Sequence, residues 1–340
     1  MAALICLSFG AIAQIGGKNS YEFLDIPQSA RTAGVGGVNV SIVANDPFLF
    51  FQNPALLRDT SVKNLGITYV PYYADINHTS LAYAFKAKRT GIWGAGLQYI
   101  SYGAMEEADE AGNVTGTFMA KDYAVSVAKS HTIDYYTMGA TLKFAGSHIQ
   151  NYNSFALMAD VGGVFTHPEK DFNIGLVVKN IGFALKKYTP DSRVAEPFDV
   201  QLGLTYKFDH MPLRFSVTAH HLHQFDIVYL DPNKRGKISL DGQEEKEKKT
   251  FADKVARHFV FGGEFLIAKG FNVRVGYNHL RRKELRLEQR SGGAGFSWGF
   301  MMKIKSFEFA FTRAYYHVAG GTSFITLNTN FSNLLKRKEI

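Results

Sequence analysis

The sequence predicts an all-β fold: a closed antiparallel transmembrane barrel of about fourteen strands, with an N-terminal hatch or plug. Residues 64–334 break into about fourteen short segments in which apolar and polar positions alternate. The gaps between the segments alternate in length. Residues 86–90, 166–171, 208–212, 267–270 and 304–306 are tight, whereas 103–119, 182–197, 226–257 and 281–289 are long. Outer-membrane barrels have that asymmetry, with short periplasmic turns and long outside loops. A soluble sandwich has no reason to gather its long loops at one end.

Charge within the segments is sided. Val200, Leu202, Leu204, Tyr206 and Phe208 share one face, opposite Asp199, Gln201, Gly203, Thr205 and Lys207. Phe155, Leu157, Ala159, Val161 and Phe165 oppose Ala156, Met158, Asp160 and Gly162. Phe271, Val273, Val275 and Tyr277 oppose Asn272, Arg274, Gly276 and Asn278. A charge facing lipid at the midplane costs about 2–4 kcal/mol, so the polar faces belong in a lumen.

Composition agrees. Charged residues make up 20% and mean hydropathy is −0.10, which looks soluble. Only alternate residues of a barrel meet lipid, so the average does not count against one. No run of 18 apolar residues occurs, so a membrane helix is not expected. Aromatic residues at 14% suit interfacial girdles, and 32 glycines suit bends and crowded positions in strands. The net charge of +8 is spread over turns and loops rather than a stripe, so nucleic acid is not an expected partner.

In chain order, residues 1–13 read as a signal-peptide remnant. An apolar stretch ends in Ala11-Ile12-Ala13 before Gln14, a small-residue cleavage pattern without its basic leader. The single cysteine, Cys6, lies there. A mature chain from Gln14 would have neither disulfides nor thiolate metal sites.

Residues 14–62 read as the hatch. Gly16, Gly17, Gly34, Gly36, Gly37, Pro27, Pro47 and Pro54 interrupt any strand pattern. Phe48, Leu49, Phe50, Phe51, Leu56 and Leu57 nevertheless need burial, and a barrel lumen is where a segment next to the first strand finds it.

The barrel occupies residues 63–334. Its expected spans are 64–71, 78–86, 91–102, 119–130, 135–147, 153–166, 171–182, 197–208, 212–225, 257–267, 270–280, 289–303, 306–316 and 321–332. An even count puts the 226–257 loop, the longest, outside. Helical turns are expected within 246–256. Residues 335–340 form a basic periplasmic tail.

Several residues resemble a known family. Asn45-Asp46-Pro47 followed by Asn53-Pro54-Ala55-Leu56-Leu57 resembles the hatch of FadL-type outer-membrane proteins. Ile15-Gly16-Gly17, Tyr21-Glu22-Phe23-Leu24, Ser29-Ala30-Arg31 and Ala33-Gly34-Val35-Gly36-Gly37 resemble more specifically the PorV/PorQ branch, and its PorQ-type members most. These motifs cover residues 15–57. The resemblance implies a fourteen-stranded barrel with a hatch. It also implies a role in the type IX secretion system, holding a PorZ-like surface partner of the attachment complex. There cargo is joined to lipopolysaccharide. The expected hatch motif is Asn45, Asp46, Asn53, Pro54 and Ala55. The outside-loop residues expected to meet a partner are Glu106, Glu107, Lys186, Lys187, Asp241, Glu244, Glu245, Arg281, Arg282 and Lys283. No family motif maps onto those loops. The tail beyond Phe331, Leu334-Leu335-Lys336-Arg337-Lys338, departs from barrels that end on an aromatic residue.

Catalytic motifs are not apparent: no phosphate loop, no G-x-S-x-G elbow and no H-E-x-x-H occurs, so no enzyme and no cofactor are expected. Gly34-Val35-Gly36-Gly37 lacks the βαβ setting of a dinucleotide site. His220, His221 and His223 cluster, with His221 and His223 on one strand face, but the sequence places no third ligand beside them. Ordinary interfacial histidines are expected. Glu106, Glu107, Asp109 and Glu110 lack the spacing of a calcium loop. An alternative function is FadL-like transport of hydrophobic small molecules, in which Phe48–Phe51 would line an apolar route; the same run would otherwise simply pack the plug.

Overall fold

The computed structural model describes residues 19–192, 194–228, 237–238, 244–245, 249–285, 292–317 and 320–331. The expectations for residues 1–13, for Ile15-Gly16-Gly17, for Asp241 and for the tail 335–340 lie outside them.

Fourteen antiparallel strands close into a barrel. They are β1 (Asn64–Pro71), β2 (Asn77–Ala87), β3 (Gly91–Ala108), β4 (Val114–Ile133), β5 (Tyr136–Ile149), β6 (Tyr152–Thr166), β7 (Phe172–Lys186), β8 (Asp199–Lys207) and β9 (Leu213–Ala219). A two-residue pair, β10 (Lys237–Ile238) and β11 (Glu244–Glu245), stands apart within the longest loop. The ring resumes with β12 (Phe259–Ala268), β13 (Phe271–Asn278), β14 (Phe296–Ile304), β15 (Phe307–His317) and β16 (Gly320–Asn330). Each strand pairs with its chain neighbours, β9 pairs with β12, and β1 closes on β16 from Asn64↔Asn330 to Tyr69↔Ile325. No unpaired sheet edge remains along the ring, the condition for crossing lipid with strands.

Burial is inverted relative to a water-soluble protein. Leu202 is 45% exposed and Leu204 42%, while Gln201 and Thr205 on either side of them are buried. Ile67, Tyr69, Val125, Leu142, Val161, Leu176, Val275 and Trp298 are exposed, whereas Thr68, Ser126, Lys143, Asp160, Arg274 and Thr312 are buried. The three alternating faces read from the sequence point as expected. An apolar outside and a polar inside are the arrangement lipid demands. Rings gather towards the short-turn end: Tyr136 with Phe165, Phe172 with Tyr206, and Tyr206 with Phe208 are in contact. The chain is an integral outer-membrane β-barrel, and no described helix is long and apolar enough to cross a membrane.

Strands β3 and β4 exceed their expected lengths most, and β7 runs on to Lys186 instead of ending at 182. The 103–119 gap, read as a loop, is mostly a continuation of β3 and β4, closed by a tight turn at 109–113. Asp109 organises that turn: its carboxylate accepts from the Ala111 N–H at 3.0 Å and the Asn113 N–H at 2.8 Å. Cross-strand bonding sustains the ribbon although its side chains are polar and exposed, so periodicity lost the signal. Conversely β9 stops at Ala219 rather than 225, because His221 adopts a left-handed φ of 56° that ends the ladder. The expected start of β14 at 289 moves to Phe296, and His279–Glu284 forms helix α3 directly after β13. The turns expected within 246–256 form helix α2, Phe251–Ala256.

Candidate functional site: hatch and outer face

Residues 20–62 thread the lumen. They carry helix α1 (Ala30–Gly34) and four short 3-10 turns. Ser29 caps α1, Asp46 caps the turn Pro47–Phe51, and Asn53 caps the turn Pro54–Leu56, each by accepting a backbone N–H. Proline follows both Asp46 and Asn53 at the first position, where it has no N–H to lose. The N-P-A motif is thus a capped start, and Asn53 has a second task. Its amide donates to the carbonyls of Val40 at 3.0 Å and of Gly163 and Leu176 in the wall at 3.4 Å.

The wall accommodates the hatch with glycine. A Cβ on Gly162 would sit 2.1 Å from Asn53 Oδ1, and one on Gly139 would sit 2.5 Å from the Pro54 carbonyl carbon. Polar stitches run around the ring: Tyr21 Oη with Ser154 Oγ at 2.6 Å, Ser41 Oγ with Thr205 Oγ1 at 2.7 Å, and Ser130 Oγ donating to Leu57 O at 2.6 Å. Thr312 Oγ1 donates to Ala30 O at 2.6 Å, and the Ala30 N–H donates to Thr326 Oγ1 at 2.8 Å. Asn45 and Asn64 are also hydrogen-bonded. Phe48, Leu49, Phe50 and Phe51 are all buried: the three rings, with Phe50 and Phe51 4.3 Å apart, pack with Ala82, Ala84 and Ala128, and Leu49 packs with Leu56 and Val164. They pack the plug against the wall.

At the centre lies a charge cluster that motif reading did not isolate. Arg31 of the hatch meets Asp46 at 3.2 Å and wall Glu264 at 2.8 Å. Arg274 and Arg214 reach the same Glu264 at 2.9 and 3.0 Å, and Glu308 stands 3.9 Å from Arg31. Three guanidiniums face three carboxylates, so the buried cluster is balanced. Lys143 and Asp160 form a further buried pair at 2.6 Å. Arg31 and Asp46 stood in the hatch motifs and Arg274 on the polar face of its strand, but no sequence signal joined them, because Glu264 and Arg274 lie more than 230 residues from Arg31.

The outer face separates the residues expected there. Glu106 and Glu107 are exposed on the β3–β4 ribbon, and Glu107 accepts from Gln150 Nε2 at 2.7 Å. Lys186 and Lys187 are exposed at the end of β7. Glu244 and Glu245 lie in the short pair β11. The 281–283 group does not form one outward cluster. Arg281 turns inward, donating to Gly36 O of the hatch at 3.2 Å and stacking 4.6 Å from the Tyr316 ring. Arg282 donates to Gly292 O at 2.8 Å, and Lys283 pairs with Asp253 of α2 at 3.1 Å. An asparagine cap turns Arg281 inward: Asn278 Oδ1 accepts its N–H and starts α3.

The histidines differ from expectation as well. His221 and His223 do lie near each other, ring centroids 6.1 Å apart, but His220 and His221 are closer still, with their Nδ1 atoms in contact. Asp199, at the outer end of the neighbouring strand, supplies the third group that the sequence had not placed, its carboxylate 3.9 Å from His221 Nδ1.

No protein-family model matches the chain, and no curated protein does. Solved structures do resemble it. A deltaS2 mutant of the TodX monoaromatic hydrocarbon channel aligns with a TM-score of 0.53 at 12% identity, covering 89% of this chain and 97% of that one. A deltaS2S3 mutant of the same channel aligns with a TM-score of 0.52 at 12% identity, over 89% and 99%. A Pseudomonas aeruginosa FadL homologue aligns at 0.46 and 12% identity, over 89% and 98%. The fold is that of a FadL-like barrel.

Proposed function

We propose that this barrel is a PorQ-type anchor in type IX protein secretion, holding a PorZ-like surface partner of the attachment complex through its outer face. The observation that carries the reading is the β3–β4 ribbon. β2 pairs with β3 only as far as Ser101, and β5 pairs with β4 only from Ala120 downwards. Ala104↔Met119 to Ala108↔Val114 therefore extend beyond both neighbouring ladders, with Gln150 after β5 donating to Met119 O at 3.4 Å and to Glu107 at 2.7 Å. At about 3.3 Å per residue the ribbon rises roughly 15 Å above them. A free two-stranded ribbon is marginal in water, and its open edges offer backbone donors and acceptors to another chain. Its tip carries Glu106, Glu107, Asp109 and Glu110, and Val114 and Met119 are exposed along it. The packed Phe48–Phe51 run and the charge-bridged hatch suit an anchor better than a wide pore. The ordered motif set Tyr21–Leu24, Ser29–Arg31 and Asn53–Leu57 supports the same reading.

Affinity capture from detergent-solubilised outer membranes tests it. The barrel should bring down a surface protein, and Glu106→Lys with Glu107→Lys should weaken that capture while folding is kept. Recovery of the barrel alone, with normal cargo attachment in a deletion strain, would count against the anchor.

A second reading, passage of hydrophobic small molecules, is favoured by the likeness to a hydrocarbon channel. An apolar recess of about 720 Å³ on the lipid-facing wall also supports it, lined by Met138, Ala140, Val161, Gly163 and Leu176. The recess lies just outside the glycines that receive Asn53 and Pro54. Loss of uptake of an apolar solute in the deletion strain, with cargo attachment intact, would select this reading.

A further inference from the structure

Asp199, His220 and His221 present ligand atoms that all lie within 4.8 Å of one another. Asp199 begins β8, and the histidines follow β9, so the cluster sits at the outer end of adjacent strands.

Its construction is specific. Consecutive residues in extended chain project to opposite sides. The left-handed backbone of His221, φ 56°, turns its ring back beside that of His220 until the two Nδ1 atoms touch. Asp199 is oriented from two directions: Gln201 Nε2 donates to Oδ2 at 2.7 Å, and the His221 N–H donates to Oδ1 at 2.6 Å. His258 Nδ1 donates to the His220 carbonyl at 2.7 Å, which fixes the backbone beneath the ring. His220 is 2% exposed, and its Nε2 has no hydrogen-bond partner. His223 Nδ1 lies 3.8 Å from Asp199 Oδ1, a fourth donor at the rim.

We propose that Asp199, His220 and His221 bind a divalent transition-metal ion of the zinc type, with His223 completing the site. Two or three imidazoles and one carboxylate form a borderline donor set, suited to zinc and not to calcium or magnesium, which want oxygen ligands. Tetrahedral zinc, with bonds of about 2.0–2.1 Å, holds its ligands roughly 3.3 Å apart. Binding must therefore draw the Asp199 carboxylate and His221 Nδ1 together from 3.9 Å and turn the two imidazoles so that their touching Nδ1 atoms part. Gln201 is then a positioning residue that orients the carboxylate. The ion would clasp β8 to the first residues of the 220–258 loop and pin the root of the longest outer loop.

The test uses the full chain, purified in detergent, stripped with chelator and titrated with zinc sulfate, with cobalt(II) as a spectroscopic stand-in. The expected result is about one equivalent of tightly held zinc and the intense visible bands of tetrahedral cobalt. His220→Ala with His221→Ala should abolish both. Gln201→Ala should weaken zinc about 10–100-fold while the cobalt bands persist at saturation. His131→Ala and His210→Ala, near the opposite end of the barrel, should bind like the parent. Heat-modifiable gel migration reports folding of each variant. Should the double-histidine variant fail to fold, Asp199→Asn, which keeps side-chain volume, takes its place and should lose the cobalt bands. A parent that binds no zinc, or an Asp199→Asn variant that binds it undiminished, would overturn the site.

Discussion

Arg31 in the hatch and Glu264 in strand β12 form an ion pair at 2.8 Å across 233 residues of sequence, with both side chains buried. Glu264 is shared with Arg274 and Arg214, so the bond ties the hatch to a wall network rather than to one acid. Removing one partner of a buried pair typically costs about 3–5 kcal/mol. Arg31→Ala should fall towards the lower end of that range, because Glu264 keeps two guanidiniums. The expected outcome is a folded barrel with a loosened hatch, seen as a lower heat-modification temperature and raised single-channel conductance in planar bilayers.

The neighbouring glycines Gly162 and Gly163 have opposite roles. A Cβ at Gly162 meets Asn53 Oδ1 at 2.1 Å, while one at Gly163 meets nothing nearer than 3.9 Å. Gly162→Ala should therefore destabilise by about 1–3 kcal/mol, the usual cost of overpacking, and displace the Asn53 turn. Gly163→Ala should be near neutral. Urea unfolding of the two variants side by side checks the contrast.

Leu202 faces lipid and Gln201 faces the lumen. Leu202→Arg should cost about 2–4 kcal/mol if the residue lies near the midplane, and less towards an interface. Reduced outer-membrane assembly, read from the folded fraction on unheated gels, is the measurement. Wild-type assembly would reverse the assignment of faces in β8.

Outside the spans, Asp253 joins α2 to α3. Burial alone would raise its carboxyl pKa, but hydrogen bonds from Lys283 and Arg257 outweigh that and hold it below the ordinary range. A depressed folded pKa means a contribution to stability that is fully present above the unfolded value of about 3.9. It is lost as pH falls through the folded value. Hydrogen-exchange protection in 251–256 and 279–284, corrected for the pH dependence of the intrinsic rate, should thus fall when the solution is taken from neutrality to below about pH 4. Asp253→Asn should give fast exchange already at neutral pH.

Much of this was legible in the sequence, and the misses have physical causes. Wall strands such as β8 and β13 declare themselves because lipid and lumen impose opposite demands on alternate residues. The β3–β4 ribbon beyond Ser101 meets water on both faces, so alternation fades although the strands continue. Asn53-Pro54 reads as a capped turn from residue type alone, but its grip on Gly163 and Leu176 is tertiary. Arg281 reads as an exposed cation beside Arg282 and Lys283, and only the Asn278 cap shows why it turns towards Gly36. Asp199 and His221 are 22 residues apart and meet because β8 and β9 are paired and a left-handed residue ends the second.

The seating of the hatch inside the barrel is tested most directly by cross-linking it to the wall. Ser41 Oγ and Thr205 Oγ1 are 2.7 Å apart, within reach of disulfide geometry. In a chain with Cys6→Ser, the pair Ser41→Cys and Thr205→Cys should oxidise to an intramolecular disulfide in membranes and resist a water-soluble maleimide until reduced. Two free thiols, both labelled from the aqueous phase without reductant, would mean that the segment lies elsewhere.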